Sequence, residues 1–265
     1  MNRFIFKKNI LHSDTIQKKN PGASMIKGLK IFDTPEILAQ HLSNGLQSSI
    51  NNSPGNFFLA VSGGNTPLVV FNKLAYPPYN DNFLWEKTHF FWCDERCVNA
   101  DDPESNFGAA RRTLFNKISI PKANIHYIHG EAIPKDEVVR YSNEIQKFVP
   151  SGKNGLPKFD SVLLGLGEDG HTASLFPGKS LLFTYSNIAG VAKHPLTGQK
   201  RISLTADILC SAKRITFVVT GKGKAKVLSE ILLDLPAVKN YPAGIIKSIS
   251  ENIDWIVDKE AAFYL

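Results

Sequence analysis

Residues 159–177, FDSVLLGLGEDGHTASLFP, constrain this chain more than any other stretch. An apolar run, Val162–Leu164, ends in Gly165-Leu166-Gly167, and Glu168, Asp169, Gly170 and His171 follow directly. Thr172 and Ser174 come next, and Pro177 closes the unit. The pattern predicts a buried strand running into a tight loop that carries ionisable side chains. In open parallel α/β sheets, ligands sit just outside the carboxyl ends of the strands. An imidazole and a carboxylate are therefore expected at such a place.

The same grammar recurs along the chain. Phe57–Ser62 is a short apolar run that leads into Gly63-Gly64-Asn65-Thr66-Pro67 and then an amphipathic helix, Leu68–Leu74. Thr66 is placed to cap that helix and Pro67 to occupy its first position. Thr88–Cys93 is a second apolar run, followed by Asp94-Glu95-Arg96, a polar loop and a helix from about Asn106 to Phe115. Asp33-Thr34-Pro35-Glu36 opens a helix behind a strand at Leu29–Phe32. Pro77–Leu84 reads as a loop, and further strands are expected at Ile125–Ile128, Ile188–Ala192, Ile202–Thr205, Ile215–Thr220 and Ile253–Val257. Strands alternating with helices predict an α/β fold with a doubly wound, mostly parallel sheet flanked by helices. No internal repeat or linker interrupts residues 25–265, which are expected to form a single domain. Residues 1–24 are polar and basic without sustained periodicity, and predict a disordered extension.

No apolar run reaches the ~18–20 residues needed to span a bilayer, so no membrane association is expected. The three cysteines, Cys93, Cys97 and Cys210, form no disulfide framework and suit a reducing compartment. With no secretory pattern at the start, the expectation is a cytoplasmic protein. Cys93 and Cys97 are spaced like half of a metal site, but no histidine pair accompanies them, so ordinary thiols and no metal are expected. The formal charge of +7 favours an anionic ligand. The lysines are scattered rather than striped, which argues for a small anion and against nucleic acid.

Residue by residue, the motifs leave alternatives open. The glycine-rich turn at Ser62–Thr66 lets a backbone approach an anion at a helix start, but it also reads as a plain strand-to-helix connection. It is neither a dinucleotide fingerprint nor a triphosphate loop. Asp94, Glu95 and Arg96 are either an ion-pair cluster or a site, and the guanidinium of Arg96 suits phosphate. Lys200 and Arg201 either reach an anion or are surface charge. Gly221-Lys222-Gly223-Lys224 lacks the spacing of a phosphate loop and reads as a turn opening a helix.

Four motifs together carry a resemblance. They are Ser62-Gly63-Gly64-Asn65-Thr66-Pro67; Asp94-Glu95-Arg96-Cys97-Val98 with Asp102 and Ser105-Asn106; Gly165 through Pro177; and Arg201-Ile202-Ser203-Leu204-Thr205. The chain resembles the 6-phosphogluconolactonases of the sugar-phosphate isomerase/lactonase superfamily, which also holds glucosamine-6-phosphate deaminase. The likeness runs from about Phe32 to Ala262. The run His-Thr-Ala-Ser-Leu-Phe-Pro is lactonase-like, whereas the deaminase branch typically reads His-Ile-Ala-Phe-Asn-Glu-Pro. Asn65 stands where the family usually has serine, and it keeps a hydrogen-bonding side chain.

The resemblance implies hydrolysis of 6-phospho-D-glucono-1,5-lactone to 6-phosphogluconate, without metal or organic cofactor, by a monomer or small homo-oligomer. A lactone needs water deprotonated as it attacks and the ring oxygen protonated as it leaves, and one histidine can do both in turn. His171 is the candidate for that role, with Asp169 orienting the imidazole and Asp94 contacting hydroxyls or sharing in proton transfer. Ser62, Gly63, Gly64, Asn65, Thr66, Arg96, Lys200 and Arg201 are the candidates for binding the phosphate. The alternatives are a glucosamine-6-phosphate deaminase/isomerase and a non-catalytic phosphosugar sensor.

Overall fold

The structure is a computed structural model that describes residues 26–178 and 187–265. The extension expected at residues 1–24 lies outside the described residues, as does the side chain of Asn65.

Four of the apolar runs become strands buried at every position, because both of their faces are covered. β1 (Leu29–Phe32) precedes helix α1 (Pro35–Asn51), whose start is fixed by the Thr34 hydroxyl accepting the Ile37 N–H at 3.3 Å. β2 (Phe57–Val61) and β3 (Thr88–Trp92) are buried at every position, as expected for strands with no solvent face. Between them lie α2 (Asn65–Leu74) and a short helix, α3 (Tyr79–Asn82), where a loop was expected. Beyond β3 come β4 (Asp94–Arg96), α4 (Asn106–Thr113), β5 (Ile125–His126) and α5 (Pro134–Phe148). β6 (Ser161–Leu164) is also buried throughout. The remaining elements are β7 (Ala189–Lys193), β8 (Lys200–Leu204), α6 (Ala206–Cys210), β9 (Ile215–Val219), α7 (Ala225–Leu232), α8 (Pro242–Ile249) and β10 (Ile253–Asp258).

Seven strands form one parallel sheet in the order β1-β10-β9-β6-β2-β3-β5. From β2 the chain winds outward through β3 to β5. It then returns to the other side of β2, placing β6 there, and winds the opposite way through β9 and β10. The reversal falls between β2 and β6, so the loops leaving these two strands part from each other and leave a crevice. Trp92, Phe90, Phe91, Phe159 and Phe217 are among the buried rings of the core. Tyr141 of α5 ties its hydroxyl to both backbone groups of Trp92, donating to the carbonyl at 2.8 Å and accepting from the N–H at 2.7 Å.

A second, smaller sheet is antiparallel. Asp94–Arg96 is not simply a loop after β3. It is a strand, β4, paired antiparallel with β8, which in turn pairs antiparallel with β7. The register sets Arg96 opposite Arg201 and Asp94 opposite Ser203. This small sheet carries its residues across the carboxyl ends of the main strands.

Candidate active site

A cleft of about 320 Å³ opens at the carboxyl ends of β2, β3, β6 and β9. Ser62, Gly63, Gly64 and Thr66 enter it from the turn after β2. Asp94 and Arg96 enter from β4, His171 from the loop after β6, and Arg201 from β8. Residues from four distant stretches of sequence are thereby brought to one place. Asp169 does not line the cleft but touches His171. Lys200 does not line it either. It is exposed at the start of β8, where it pairs with Lys193.

The loop that presents His171 is closed on itself. The N–H of Gly167 donates to the carbonyl of His171 at 2.8 Å, and that of Gly170 to the carbonyl of Gly167 at 3.0 Å. Gly167 is required by contact: a Cβ there would lie 2.0 Å from Nδ1 of His171. Oδ1 of Asp169 accepts the backbone N–H of His171 at 3.1 Å and sits 2.5 Å from its Nδ1. A carboxylate accepts only, so the proton of a neutral imidazole lies on Nδ1 and the lone pair on Nε2. Burial works to raise the Asp169 carboxyl, but the hydrogen bonds and charge of His171 outweigh it and bring it to about 2. The ring of His171 leans on Phe176, with centroids 5.2 Å apart.

Asp94 is buried, and its Oδ2 accepts the Ser174 hydroxyl at 2.6 Å. That bond joins the loop after β6 to the small sheet, and among the described residues no side chain donates to the other carboxylate oxygen. Nearby, the turn after β2 is pressed against α4: a Cβ on Gly63 would fall 1.8 Å from Oδ1 of Asn106. Thr66 does not cap α2, as the sequence suggested. The helix begins two residues earlier, after Gly64, and the Thr66 hydroxyl instead meets that of Thr220 at 2.8 Å. Pro67 accordingly falls at the third helical position rather than the first.

Among the described residues, Nε of Arg96 and Nε of Arg201 are buried without a hydrogen bond, although Nη1 of Arg96 donates to the Glu104 carbonyl, and the Ser62 hydroxyl lies against the Cys93 thiol. Buried donors left open in this way call for a partner such as water or a ligand group. Burial also lowers the Arg201 guanidinium, an effect to which the neighbouring Arg96 charge adds and which Asp94 opposes. Among the described residues, no group of three or more His, Cys, Asp or Glu side chains is arranged to hold a metal ion. No described helix is long and apolar enough to cross a membrane.

The sequence profile described as glucosamine-6-phosphate isomerases/6-phosphogluconolactonase matches residues 33–255. The chain belongs to this family. Within it, the chain is 44% identical over 203 residues to a protein of Haemophilus influenzae named 6-phosphogluconolactonase, covering 77% of this chain and 85% of that one. A crystal structure described as devB protein superposes with a TM-score of 0.84 at 40% identity, over 90% of this chain and 99% of that one. The 6-phosphogluconolactonase of Trypanosoma brucei superposes with a TM-score of 0.79 at 28% identity, over 89% and 98% of the two chains. The resemblance read from the four motifs is borne out as family membership, and the doubly wound sheet is the family's fold.

Reading the sequence against the family's motifs left Lys224 without a role. It lines the cleft, and its ammonium donates to the carbonyl of Leu166 in the loop after β6. Burial lowers it, while the acids Glu168 and Asp169 oppose that effect. Thr220 and Asn106 line the cleft as well. The signal for Lys224 was its position just past the apolar strand β9, the same grammar as the other site loops, but its glycine-lysine setting read as an ordinary turn.

Proposed function

We propose that this protein hydrolyses 6-phospho-D-glucono-1,5-lactone to 6-phosphogluconate, as a carboxylic-ester hydrolase of the oxidative pentose phosphate pathway. The relatives at 44% and 28% identity bear the name of that activity. The observation that carries the reading is a single cleft containing both a carboxylate-held imidazole, His171, and three cationic side chains, Arg96, Arg201 and Lys224.

In this account Nε2 of His171 removes a proton from water as its oxygen attacks the lactone carbonyl. Asp169 keeps the ring in the required tautomer and balances the imidazolium that forms. The tetrahedral intermediate collapses with cleavage of the bond to the ring oxygen, which takes the proton back from His171. The acid formed then loses its own proton to water. Asp94, held by Ser174, accepts hydroxyl hydrogens of the sugar. The phosphate is held by the Ser62–Thr66 turn at the start of α2 and by Arg96, Arg201 and Lys224, whose charge-assisted bonds contribute more than neutral ones. Positioned acid–base catalysis is worth ~10²–10⁴-fold, enough for an ester already strained and activated in its ring.

The test is a coupled assay. The lactone is generated in situ and its hydrolysis followed through 6-phosphogluconate dehydrogenase, with spontaneous hydrolysis subtracted. Acceleration by the protein supports the reading. A folded protein that leaves the spontaneous rate unchanged, but deaminates glucosamine 6-phosphate, overturns it in favour of the sister activity.

A further inference from the structure

Glu95 lies between two cleft residues, Asp94 and Arg96, yet it does not line the cleft, and it is only 1% exposed. Its carboxylate is saturated by four donors. Oε1 accepts the backbone N–H groups of Arg96 and Asn106, each at 2.8 Å. Oε2 accepts the N–H of Phe107 at 2.7 Å and the Ser105 hydroxyl at 3.1 Å. Among the described residues no cation forms an ion pair with it. Its compensation comes from the backbone donors at the start of α4.

A buried, unpaired carboxylate is an expensive way to join a strand to a helix. Burial, with Asp94 adding to it, pushes the Glu95 carboxyl up to about 7 against the three backbone bonds that favour its charge. What the arrangement gains is geometry. Asn106, whose N–H it fixes, donates through Nδ2 to the Asp94 carbonyl at 2.9 Å and packs its amide beneath Gly63. The same carboxylate fixes the backbone of Arg96. One side chain thus holds together the glycine turn, the strand bearing Asp94, and the backbone of a cleft guanidinium.

We propose that Glu95 is a positioning residue for the anion-binding half of the cleft, setting the relative placement of the Gly63–Gly64 turn and Arg96. This rests on the reading of that half as the phosphate site. It takes no part in proton transfer, because its oxygens are fully used and face away from the cleft. Its loss is therefore felt in ground-state binding rather than in turnover.

The experiment compares wild type, Glu95→Gln and Ser105→Ala, each checked for a cooperative thermal transition. KM and kcat are measured in the lactone assay, and affinity is measured by calorimetric titration with inorganic phosphate and with 6-phosphogluconate. Glu95→Gln turns an amide N–H₂ toward backbone donors and is expected to raise KM and both dissociation constants about tenfold or more, with kcat within about threefold. Ser105→Ala removes one donor to Glu95 together with the hydroxyl that caps α4 at the Gly108 N–H, keeps the charge, and is expected to shift the same constants about threefold in the same direction; it decides the matter if Glu95→Gln does not fold. Unchanged KM and phosphate affinity with only a lower active fraction, or a fall in kcat at constant KM, overturns the proposal. A wild type that binds phosphate but does not hydrolyse the lactone removes the lactonase reading and leaves the titrations to judge Glu95. A wild type that does neither overturns both.

Discussion

Oδ1 of Asp169 lies 2.5 Å from Nδ1 of His171 and also accepts that residue's backbone N–H, so one oxygen fixes both the ring and the chain that carries it. The pair is local, two residues apart, and needs no distant element to form. Asp169→Asn would offer an amide in place of the carboxylate and remove the preference for the Nδ1–H tautomer. The expected result is a loss of roughly 10²-fold in kcat, smaller than the ~10⁴-fold for a fully buried triad aspartate because Asp169 is half-exposed. KM should stay within about twofold. With its carboxyl at about 2, Asp169 stays charged throughout the neutral range. The wild-type rate should therefore show no step from this group above about pH 4.

Gly167→Ala tests the placement of the imidazole without touching its chemistry. The added Cβ would meet Nδ1 of His171 at 2.0 Å and Oδ1 of Asp169 at 2.6 Å, so the ring has to move. A displacement of about 1 Å in a catalytic group can reduce the rate ~10²-fold. Steady-state kinetics should show that loss in kcat. Because Gly167 lies in a loop, the melting temperature should change little.

Arg201→Ala and Lys224→Ala each remove a cleft cation and should raise KM about 10-fold or more, with smaller effects on kcat. Lys200→Ala serves as the contrast. Lys200 is exposed and outside the cleft, so its KM should remain within about twofold of wild type. Measuring KM for the three variants side by side separates the two adjacent basic residues that the sequence could not rank.

Away from the cleft, His89 and His126 are buried face to face, with Nδ1 of His89 3.0 Å from Nε2 of His126, and Nδ1 of His126 2.7 Å from Oε1 of Glu144. Burial lowers both imidazoles from 6.5, with each other's charge adding for His89, and Glu144 opposing for His126. Below that pH the unfolded chain takes up protons that the folded chain refuses, so this pair makes stability fall as the solution is acidified. Melting curves of wild type and His89→Phe between pH 7.5 and 5.5 should show a shallower decline in the variant. An equal or steeper decline would contradict the assignment.

The parts of the site that were legible in the sequence are those built by neighbours in the chain. Val162–Leu164 followed by Gly167, Asp169 and His171 is a strand and a closed loop whose contacts span only a few residues, so its pattern is complete on the page. The same holds for the Thr34 cap on α1. What was not legible depends on pairing at a distance. Asp94–Arg96 is polar and three residues long, and becomes a strand only because β8 lies alongside it. Thr66 looked like a cap because the residue that engages its hydroxyl, Thr220, comes from another strand's end. Lys224 reaches the cleft through the carbonyl of Leu166, a contact that no local spacing announces. Glu95 was read with its neighbours as a possible site residue. Its turning away from the cleft follows from the four donors that α4 and β4 bring to it.

The role of Nε2 of His171 as the base is tested by kcat of His171→Ala beside wild type in the coupled lactone assay. The expected result is a fall of ~10²–10⁴-fold in kcat with KM and phosphate affinity nearly unchanged, since the cations and the turn after β2 are untouched. A folded His171→Ala protein that turns over the lactone at the wild-type rate would contradict it and move the base to Asp94.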